Sequence, residues 1–303
     1  MRALARTRGV LASGASRDLP LEEVPGDLSA ASDASLAEAL RGCHAIVHLA
    51  GLVKARSLAD YRRVNVDGTR RLLEVSRRSA PEALFVLVSS QAAAGPARDG
   101  RPLTEADPPR PVSWYGTSKL EAEETVRREW MGPWIVLRPA VVYGPGDRGL
   151  LTLFSAAARG WVPVPAGRFR IQLIEAARAG RAVALAAARA DLAGSTGFLC
   201  DPEPVAIAQL ARLIARLPPR PARVIPVPAA LVRLAGFVAT LRETFTHRSL
   251  PFNADKAREV LAGDWLCEPT LMRRHLPLPP PSPLEYGLEK TWEWYRREGW
   301  LVL

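Results

Sequence analysis

A tyrosine and a lysine four positions apart are the residues of this chain best suited to chemistry. Tyr115 and Lys119 lie in the segment WYGTSK, at the start of a stretch with a helical pattern. Residues four apart lie on one face of a helix, so the phenol and the ammonium would be neighbours. A phenol has a pKa near ~10 and exchanges protons at neutral pH when a nearby cation stabilises its phenolate. The spacing is compatible with an acid/base pair, but taken alone it is better explained as a helix with a surface lysine, and the surrounding segments have to support the pair.

Two serines follow an apolar run that has the pattern of a buried strand. The run LFVLV ends at Ser89 and Ser90, and Ser90 lies 25 positions before Tyr115. Ligands of open α/β sheets bind at the carboxyl ends of the strands. A hydroxyl at such a position can hydrogen-bond a substrate carbonyl or alkoxide while a tyrosine moves the proton. Taken alone, the two serines are better explained as a capped strand end.

Short apolar runs alternate with longer helical patterns in the first two thirds of the chain. The predicted strands lie at 2–6, 45–49, 84–89 and 134–138. Apolar residues recur three and four apart at about 34–41, 58–79 and 113–131, which predicts helices. This alternation is typical of a parallel sheet with crossover helices, so the sequence predicts an α/β fold.

A second lobe is predicted from about Gly146 onward, where frequent prolines cut the chain into short pieces. We expect two parts, 1–147 and 148–303, with some later segments returning to the first sheet. An amphipathic helix is predicted at 228–245. Its apolar residues are Leu231, Val232, Leu234, Phe237, Val238 and Leu241. Core packing is the favoured interpretation of this helix; the alternatives are that it lines a pocket or touches a membrane surface.

The composition bears on several classes of protein. With 303 residues, 48% of them hydrophobic, the chain can bury a sizeable core. The formal net charge is +10, but the arginines are dispersed, so we predict a solvated surface and no nucleic-acid partner. No run approaches the ~18 apolar residues of a membrane span, and we expect a cytoplasmic protein. The three cysteines lack metal-ligand spacing and are predicted to be reduced and buried, and no metal site is predicted.

Six motifs follow one another in a characteristic order. They are GDL at 26–28, IVHLAG at 46–51, VNVDGT at 64–69, SS at 89–90, YGTSK at 115–119 and LRPAVVYGPGD at 137–147. Together they resemble the extended short-chain dehydrogenases/reductases, which include nucleotide-sugar epimerases, sugar dehydratases and 3β-hydroxysteroid dehydrogenases. The resemblance covers almost the whole chain. It implies a Rossmann-type doubly wound parallel sheet, with the dinucleotide-binding domain over 1–147 and a smaller C-terminal substrate lobe.

The resemblance also implies roles for single residues. Tyr115 would be the acid/base, Lys119 would lower its pKa and bind the nicotinamide ribose, and Ser90 would orient the reacting carbonyl. Asn65 would hold a helix and a strand in register, whereas His48 is expected to be a packed strand residue. The implied cofactor-binding residues are Arg6, Asp27, Leu28, Leu49, Ala50, Gly51, Val64, Ser89, Tyr115, Lys119, Pro139, Ala140 and Val142.

Within this set, the resemblance assigns each part of the dinucleotide to a segment. Asp27 and Leu28 would contact the edge of the adenine ring. Residues 49–51 would line the site of the adenosine and the phosphates, and residues 139–142 would contact the nicotinamide. An arginine at the end of the second family strand suits a ribose 2′-phosphate, where an acidic residue would bind the 2′-hydroxyl. Arg6 therefore favours NADP over NAD.

The chain departs from the family pattern at its beginning. Family members open with a strand and a glycine-rich turn whose backbone amides hold the cofactor pyrophosphate. The segment that starts at Met1 resembles the second family strand, so the chain lacks a first strand and glycine loop, an arm of ~30 residues. We expect the natural protein to have this arm upstream. The alternative is a non-catalytic subunit that has kept the fold.

Two positions bear on the substrate. Nucleotide-sugar members have an asparagine where this chain has Val141, whose apolar side chain cannot donate to a phosphate. Dehydratases have Asp-Glu directly after the catalytic hydroxyl, where this chain has Gln91 and Ala92. We predict an NAD(P)-dependent oxidoreductase that interconverts a secondary alcohol and a ketone on a small, lipophilic substrate. The alternative is a nucleotide-sugar 4-epimerase on the same scaffold, and a homodimer is left open by family analogy.

Overall fold

The computed structural model describes residues 1–5, 22–26, 28, 32–246, 250 and 252–301. The strands are β1 (Arg2–Ala5), β2 (Glu22–Pro25), β3 (Ala45–His48), β4 (Leu84–Val88), β5 (Trp134–Pro139), β6 (Val141–Tyr143), β7 (Trp161–Pro165), β8 (Arg170–Ile171), β9 (Leu173–Glu175), β10 (Ser195–Leu199), β11 (Val205–Ala206) and β12 (Arg223–Val227). The helices are α1 (Asp33–Leu40), α2 (Leu58–Asn65), α3 (Asp67–Ser79), α4 (Gln91–Ala94), α5 (Trp114–Glu129), α6 (Leu151–Ala158), α7 (Ala176–Ala187), α8 (Ile207–Ala215), α9 (Ala229–Thr246), α10 (Ala254–Val260), α11 (Thr270–His275) and α12 (Leu284–Arg297).

A four-stranded parallel sheet with the order β10–β5–β4–β3 lies at the centre of the fold. Its register places Val86 of β4 between Val47 of β3 and Ile135 of β5. β10 comes from the later part of the chain and pairs with β5, so later segments do return to the first sheet. The predicted α/β fold with a parallel sheet is confirmed, whereas the division at residue 147 stays a prediction.

β1 and β2 form a parallel pair of their own. No described strand pairs with the free side of β3, and Val47 on this strand stays 36% exposed. A parallel strand in the interior of a doubly wound sheet would be covered on both faces. Among the described residues, the β1–β2 pair is therefore separate from the central sheet.

Helices cover the two faces of the central sheet. Phe85 of β4 packs with Leu73 of α3 and Val126 of α5 on one face. Val86 packs with Ala182 of α7 on the other face. Neighbouring strand residues point to opposite faces, so a strand that is covered on both sides needs an uninterrupted apolar run. This requirement explains the pattern LFVLV in β4.

The later part of the chain builds a separate hydrophobic core around α6, α8, α12 and β7. Phe154 of α6 meets Trp292 and Tyr295 of α12, and the rings of Phe154 and Tyr295 lie 5.1 Å apart in an edge-to-face arrangement. The Tyr295 hydroxyl donates a hydrogen bond to the Asp147 carbonyl at 2.7 Å. The aromatic helix α12 thus holds the loop between β6 and α6 in place.

The helix predicted at 228–245 forms as α9, but the favoured prediction that it packs in the core is wrong. Of its six named apolar residues, Val232 is buried. The other five are exposed: Leu231, Leu234, Phe237, Val238 and Leu241. The helix instead turns its small and polar residues Gly236 and Glu243 inward. No described helix is long and apolar enough to cross a membrane.

All three cysteines are free thiols, as predicted. Cys200 and Cys267 are buried with their sulfur atoms 3.6 Å apart. Cys43 is only half-buried, so the prediction of burial is wrong for this residue. It lies just beyond the end of α1, at the margin of a packed cluster, where solvent reaches it.

Candidate active site

The carboxyl ends of β3, β4 and β5 meet at one edge of the sheet because the three strands are parallel neighbours. Residues 49–51 follow β3, and Ser89 and Ser90 follow β4. Pro139 ends β5, and Ala140 connects it to β6. The fold therefore brings three of the predicted cofactor-binding segments to the same edge, which is where open α/β sheets bind ligands.

Ser90 begins the short helix α4. Its backbone is extended, and its hydroxyl oxygen accepts a hydrogen bond from the Ala92 amide at 3.2 Å, as a serine at a helix N-cap does. The same hydroxyl lies close enough to the Tyr115 phenol to lower its pKa. The structure thus joins the two predicted catalytic residues that the sequence separates by 25 positions.

Tyr115 is the second residue of α5, and two side chains cap the start of this helix. The Ser113 hydroxyl accepts a hydrogen bond from the Gly116 amide at 3.0 Å. The Asp255 carboxylate, from α10, accepts one from the Trp114 amide at 2.8 Å. The free amides of a helix N-terminus favour negative charge, so Asp255 stabilises the start of α5. α10 thereby helps to hold Tyr115 in place.

Gly116 allows α5 to lie directly against α4. A Cβ atom at this position would come 2.3 Å from the Ala92 carbonyl oxygen, which is part of the backbone and cannot move aside. Any larger residue would push the helix that carries Tyr115 away from the turn that carries Ser90. The glycine of the segment YGTSK therefore sets the spacing between the two hydroxyl groups.

Lys119 is buried one helical turn after Tyr115, and its ammonium donates a hydrogen bond to the Val88 carbonyl at 2.7 Å. Burial lowers the pKa of Lys119 to about 8, against the opposing effect of the Glu123 carboxylate. Burial raises the pKa of Tyr115 to about 12, while the hydrogen bond with Ser90 lowers it. At neutral pH the phenol is protonated and most of the lysine is charged. That Lys119 lowers the Tyr115 pKa stays a prediction.

Glu123 lies a further turn along α5 and is fully buried. Its carboxylate accepts hydrogen bonds from the Arg138 guanidinium at 2.9 and 2.7 Å and from the Ser89 hydroxyl at 2.6 Å. Arg127 donates a further hydrogen bond at 2.9 Å. Bidentate pairs of this kind fix orientation as well as charge. The network ties the end of β4, next to Ser90, to the end of β5.

Asn65, the last residue of α2, joins the loop after β3 to the catalytic helix. Its side-chain oxygen accepts from the Leu52 amide at 2.7 Å, and its side-chain nitrogen donates to the Ser118 hydroxyl at 2.9 Å. Gly51 lies against it, because a Cβ atom there would come 3.0 Å from that oxygen and 3.9 Å from the Lys119 nitrogen. The expected role of Asn65 in holding register agrees with these contacts.

The remaining predicted cofactor residues take different positions. Leu49 and Ala50 are exposed beyond β3, and Val64 is half-buried on α2. Leu28 packs beside the cluster of α1 and α3, and its carbonyl accepts a hydrogen bond from Arg71. Val142 lies in β6, paired with β9. Arg6 and Asp27 lie outside the described residues.

His48 is a packed strand residue, as expected. It is buried, and a ring nitrogen forms a hydrogen bond with the Thr69 hydroxyl at 3.0 Å. Burial, followed by the nearby charge of Lys119, lowers the pKa of His48 to about 3. The imidazole is therefore neutral over the physiological range. No cluster of side chains that could hold a metal ion occurs in the part of the chain that the structure describes.

The residues around Lys119 fit the ribose and nicotinamide half of a dinucleotide. The bare backbone at Gly51 leaves free the space that a Cβ would fill beside the ammonium. Ser90 and Tyr115 lie on the neighbouring segments, with the Ser90 hydroxyl close enough to the phenol to lower its pKa. Hydroxyl and ammonium groups can donate hydrogen bonds to ribose hydroxyls and to a carbonyl oxygen. The donor set thus agrees with NAD(P) chemistry.

The sequence matches the NAD dependent epimerase/dehydratase family over residues 3–189. The chain belongs to this family. Ceramide reductase of Caulobacter vibrioides is a relative, 34% identical over 94% of this chain and 84% of that protein. Another relative is a ketoreductase of Stigmatella aurantiaca that acts on a farnesylated dihydroquinoline oxide. It is 32% identical over 59% of this chain and 55% of the length of that protein.

Solved structures support the same fold. DesIV, a dTDP-glucose 4,6-dehydratase from Streptomyces venezuelae with NAD bound, superposes with a TM-score of 0.77 at 22% identity, over 99% of this chain and 88% of that one. This likeness shows the fold. The family and its reductase members confirm the prediction of an NAD(P)-dependent oxidoreductase of the extended short-chain type.

Three residues that support the site were not singled out from the sequence: Glu123, Arg138 and Asp255. The signal for Glu123 was its position, four residues after Lys119 and hence on the same helix face. Arg138 lies inside the motif at 137–147, in which the predicted role belonged to its neighbour Pro139. Asp255 has no local signal, because it reaches Trp114 across 141 positions.

Proposed function

We propose that this protein interconverts a secondary alcohol and a ketone on a lipophilic substrate. The observation that carries the proposal is that α5, in contact with α4 at Gly116, brings Tyr115 to Ser90, with the buried ammonium of Lys119 one helical turn further on. These are the groups that a carbonyl reduction needs: a donor to the oxygen, a proton source and a cation. Their catalytic roles form part of the proposal.

In the direction of reduction, each side chain has one task. The Ser90 hydroxyl donates a hydrogen bond to the substrate carbonyl oxygen and polarises it. Tyr115 gives its proton to that oxygen as it becomes a hydroxyl. Lys119 stabilises the resulting phenolate by its charge and binds the ribose hydroxyls. The dinucleotide, when bound, supplies or accepts the hydride.

The class of substrate follows from the residues near Ser90. Small apolar side chains follow it in α4, and Val141 in β6 has no group to donate to a diphosphate. Gln91 is buried, and its side-chain nitrogen has no hydrogen-bond partner among the described residues. It is therefore a donor that a second polar group of the substrate can use. Ceramide and a farnesylated compound, on which the two relatives act, have this mixture of polar and apolar parts.

The cofactor preference is a separate proposal. Arg6 follows β1 directly in the sequence and suits a ribose 2′-phosphate, so we propose NADP over NAD. Titration calorimetry with NADPH and NADH tests this. Arg6→Asp should weaken NADPH binding more than NADH binding, and an equal effect on both would remove the preference from Arg6.

The reaction is tested by following nicotinamide absorbance with a panel of substrates. The panel contains long-chain 3-oxo amides, oxosteroids and UDP-glucose, each with NADH and with NADPH. We expect turnover of a lipophilic ketone, and a loss of about 10²- to 10⁴-fold in kcat/KM in Tyr115→Phe. Tyr286→Phe, at an exposed position on α12, is the matched control and should retain full activity.

Three results would overturn the proposal. Conversion of UDP-glucose without net change of the cofactor would favour a nucleotide-sugar 4-epimerase. Normal activity in Tyr115→Phe would remove the acid/base role from this residue. Tight binding of NAD(P)H without turnover of any member of the panel would favour a non-catalytic subunit.

A further inference from the structure

α9 presents a continuous apolar surface to solvent. Six large side chains lie on its outer face at spacings of three and four: Leu231, Leu234, Phe237, Val238, Leu241 and Phe245. The exposed fraction of these side chains ranges from 47% at Val238 to 76% at Phe245. Side chains at these spacings form a single stripe along a helix. We refer to these six residues as the outer stripe.

The orientation of α9 is fixed by its opposite side, so the outer stripe cannot turn inward. A Cβ on Gly236 would come 2.8 Å from the Ala257 side chain, so the two helices are in close contact there. The buried Glu243 carboxylate accepts a hydrogen bond from the Leu250 amide at 2.6 Å. Thr240 accepts another from the Ala254 amide at 2.9 Å. These polar contacts hold this face of α9 against α10 and against Leu250, which precedes it.

The charges beside the outer stripe are all positive. Arg233 and Arg242 are exposed on its two margins, about half a helical turn apart around the axis. Neither forms an ion pair with any described residue. Glu243, the one acidic residue of α9, lies on the buried side. An apolar stripe with cationic margins and no carboxylate is complementary to a surface that has an apolar interior under an outer layer of anionic groups.

We propose that the outer stripe binds the surface of a lipid bilayer that contains anionic headgroups. α9 has 18 residues and is therefore about 27 Å long, and it does not meet the requirements for a membrane span. It lies in the plane of the interface, with the apolar side chains at the boundary of the acyl chains and the arginines on lipid phosphates. The inference does not depend on which reaction the active site performs.

A second copy of the chain is a less suitable occupant. Two outer stripes packed face to face would bring Arg233 and Arg242 of each copy against the same residues of the other. α9 offers no exposed carboxylate to neutralise them. Like charges at an interface oppose association. An anionic bilayer satisfies both the apolar stripe and the arginines.

Vesicle co-sedimentation of the full chain tests the proposal. Vesicles of pure phosphatidylcholine are compared with vesicles that also contain phosphatidylglycerol. We expect binding to the anionic vesicles that weakens as salt increases. The double variant Phe237→Gln/Leu241→Gln should lower the partition coefficient at least about tenfold, because two large apolar side chains no longer enter the interface. Arg233→Gln/Arg242→Gln should lower it at least about fivefold and reduce the salt dependence.

Met131→Gln is the matched control, since Met131 is 89% exposed in the connection between α5 and β5. Its partition coefficient should equal that of the wild type, and circular dichroism should show equal folding of all variants. Wild-type protein that does not sediment with anionic vesicles at low salt would overturn the proposal. Vesicle binding that is unchanged in Phe237→Gln/Leu241→Gln would also overturn it. So would a dimer in light scattering that these substitutions dissociate.

Discussion

Replacing Glu123 by glutamine tests the buried network beneath the catalytic residues. The substitution keeps the size of the side chain but removes its charge, and the new amide nitrogen cannot accept a hydrogen bond. The guanidinium of Arg138, with 4% of its side chain exposed, then loses its bidentate carboxylate partner. Breaking a buried ion pair from one side costs about 3 to 5 kcal/mol, because the remaining charge is uncompensated. We expect a loss within this range.

The thermal consequence follows from the length of the chain. With an entropy of unfolding of about 2.1 cal/mol/K per residue, a loss of ~4 kcal/mol corresponds to roughly 6 °C in Tm. Urea unfolding followed by circular dichroism measures the free energy directly, and the slope m should stay constant. Glu124→Gln is the matched control. This neighbouring glutamate is exposed, so its replacement should change the free energy of unfolding by less than about 0.5 kcal/mol.

A double-mutant cycle with Arg138→Met separates the ion pair from the other contacts of Glu123. If the two side chains act as a pair, Glu123→Gln/Arg138→Met should be more stable than the sum of the single effects predicts, by more than about 1 kcal/mol. Additive effects would refute the reasoning. A loss of less than about 1 kcal/mol in Glu123→Gln would refute it as well, because a buried and uncompensated guanidinium costs more than that.

Three further predictions follow from burial and titration. Below pH 6.5 the unfolded chain takes up a proton at His48 that the folded chain accepts only near pH 3, so acid lowers the free energy of unfolding. When the pH falls from 7 to 4.5, urea unfolding should show that the wild type loses about 2 to 3 kcal/mol more free energy of unfolding than His48→Gln loses. An equal loss in both proteins would contradict this. Because the pKa of Lys119 is about 8, kcat/KM should fall above that pH. Lys119→Arg stays charged and should move the fall to higher pH, and an unchanged profile would assign it to another group. A chromogenic disulfide reagent should label one thiol of the native protein quickly, namely Cys43, and fast labelling of the two buried cysteines would contradict their burial.

Local pattern was sufficient for three of the four strands of the central sheet; β10 was not predicted. The runs at 45–49, 84–89 and 134–138 became β3, β4 and β5, because a buried parallel strand needs apolar residues on both faces. The helical pattern at 58–79 became two helices, α2 and α3, that meet at Val66. The short strands after residue 147 were not predicted, because strands of two to five residues carry too little periodicity to be recognised.

The sequence by itself determined that Tyr115 and Lys119 share a helix face and that two serines end a buried strand, because these features depend on local spacing alone. Only the tertiary structure decided that Ser90 meets Tyr115, since this contact requires Gly116 to lie against the Ala92 carbonyl. It also decided which side of α9 is buried. A stripe of apolar residues predicts that a helix face is covered but does not say by what, and here the polar contacts to α10 fixed the opposite side.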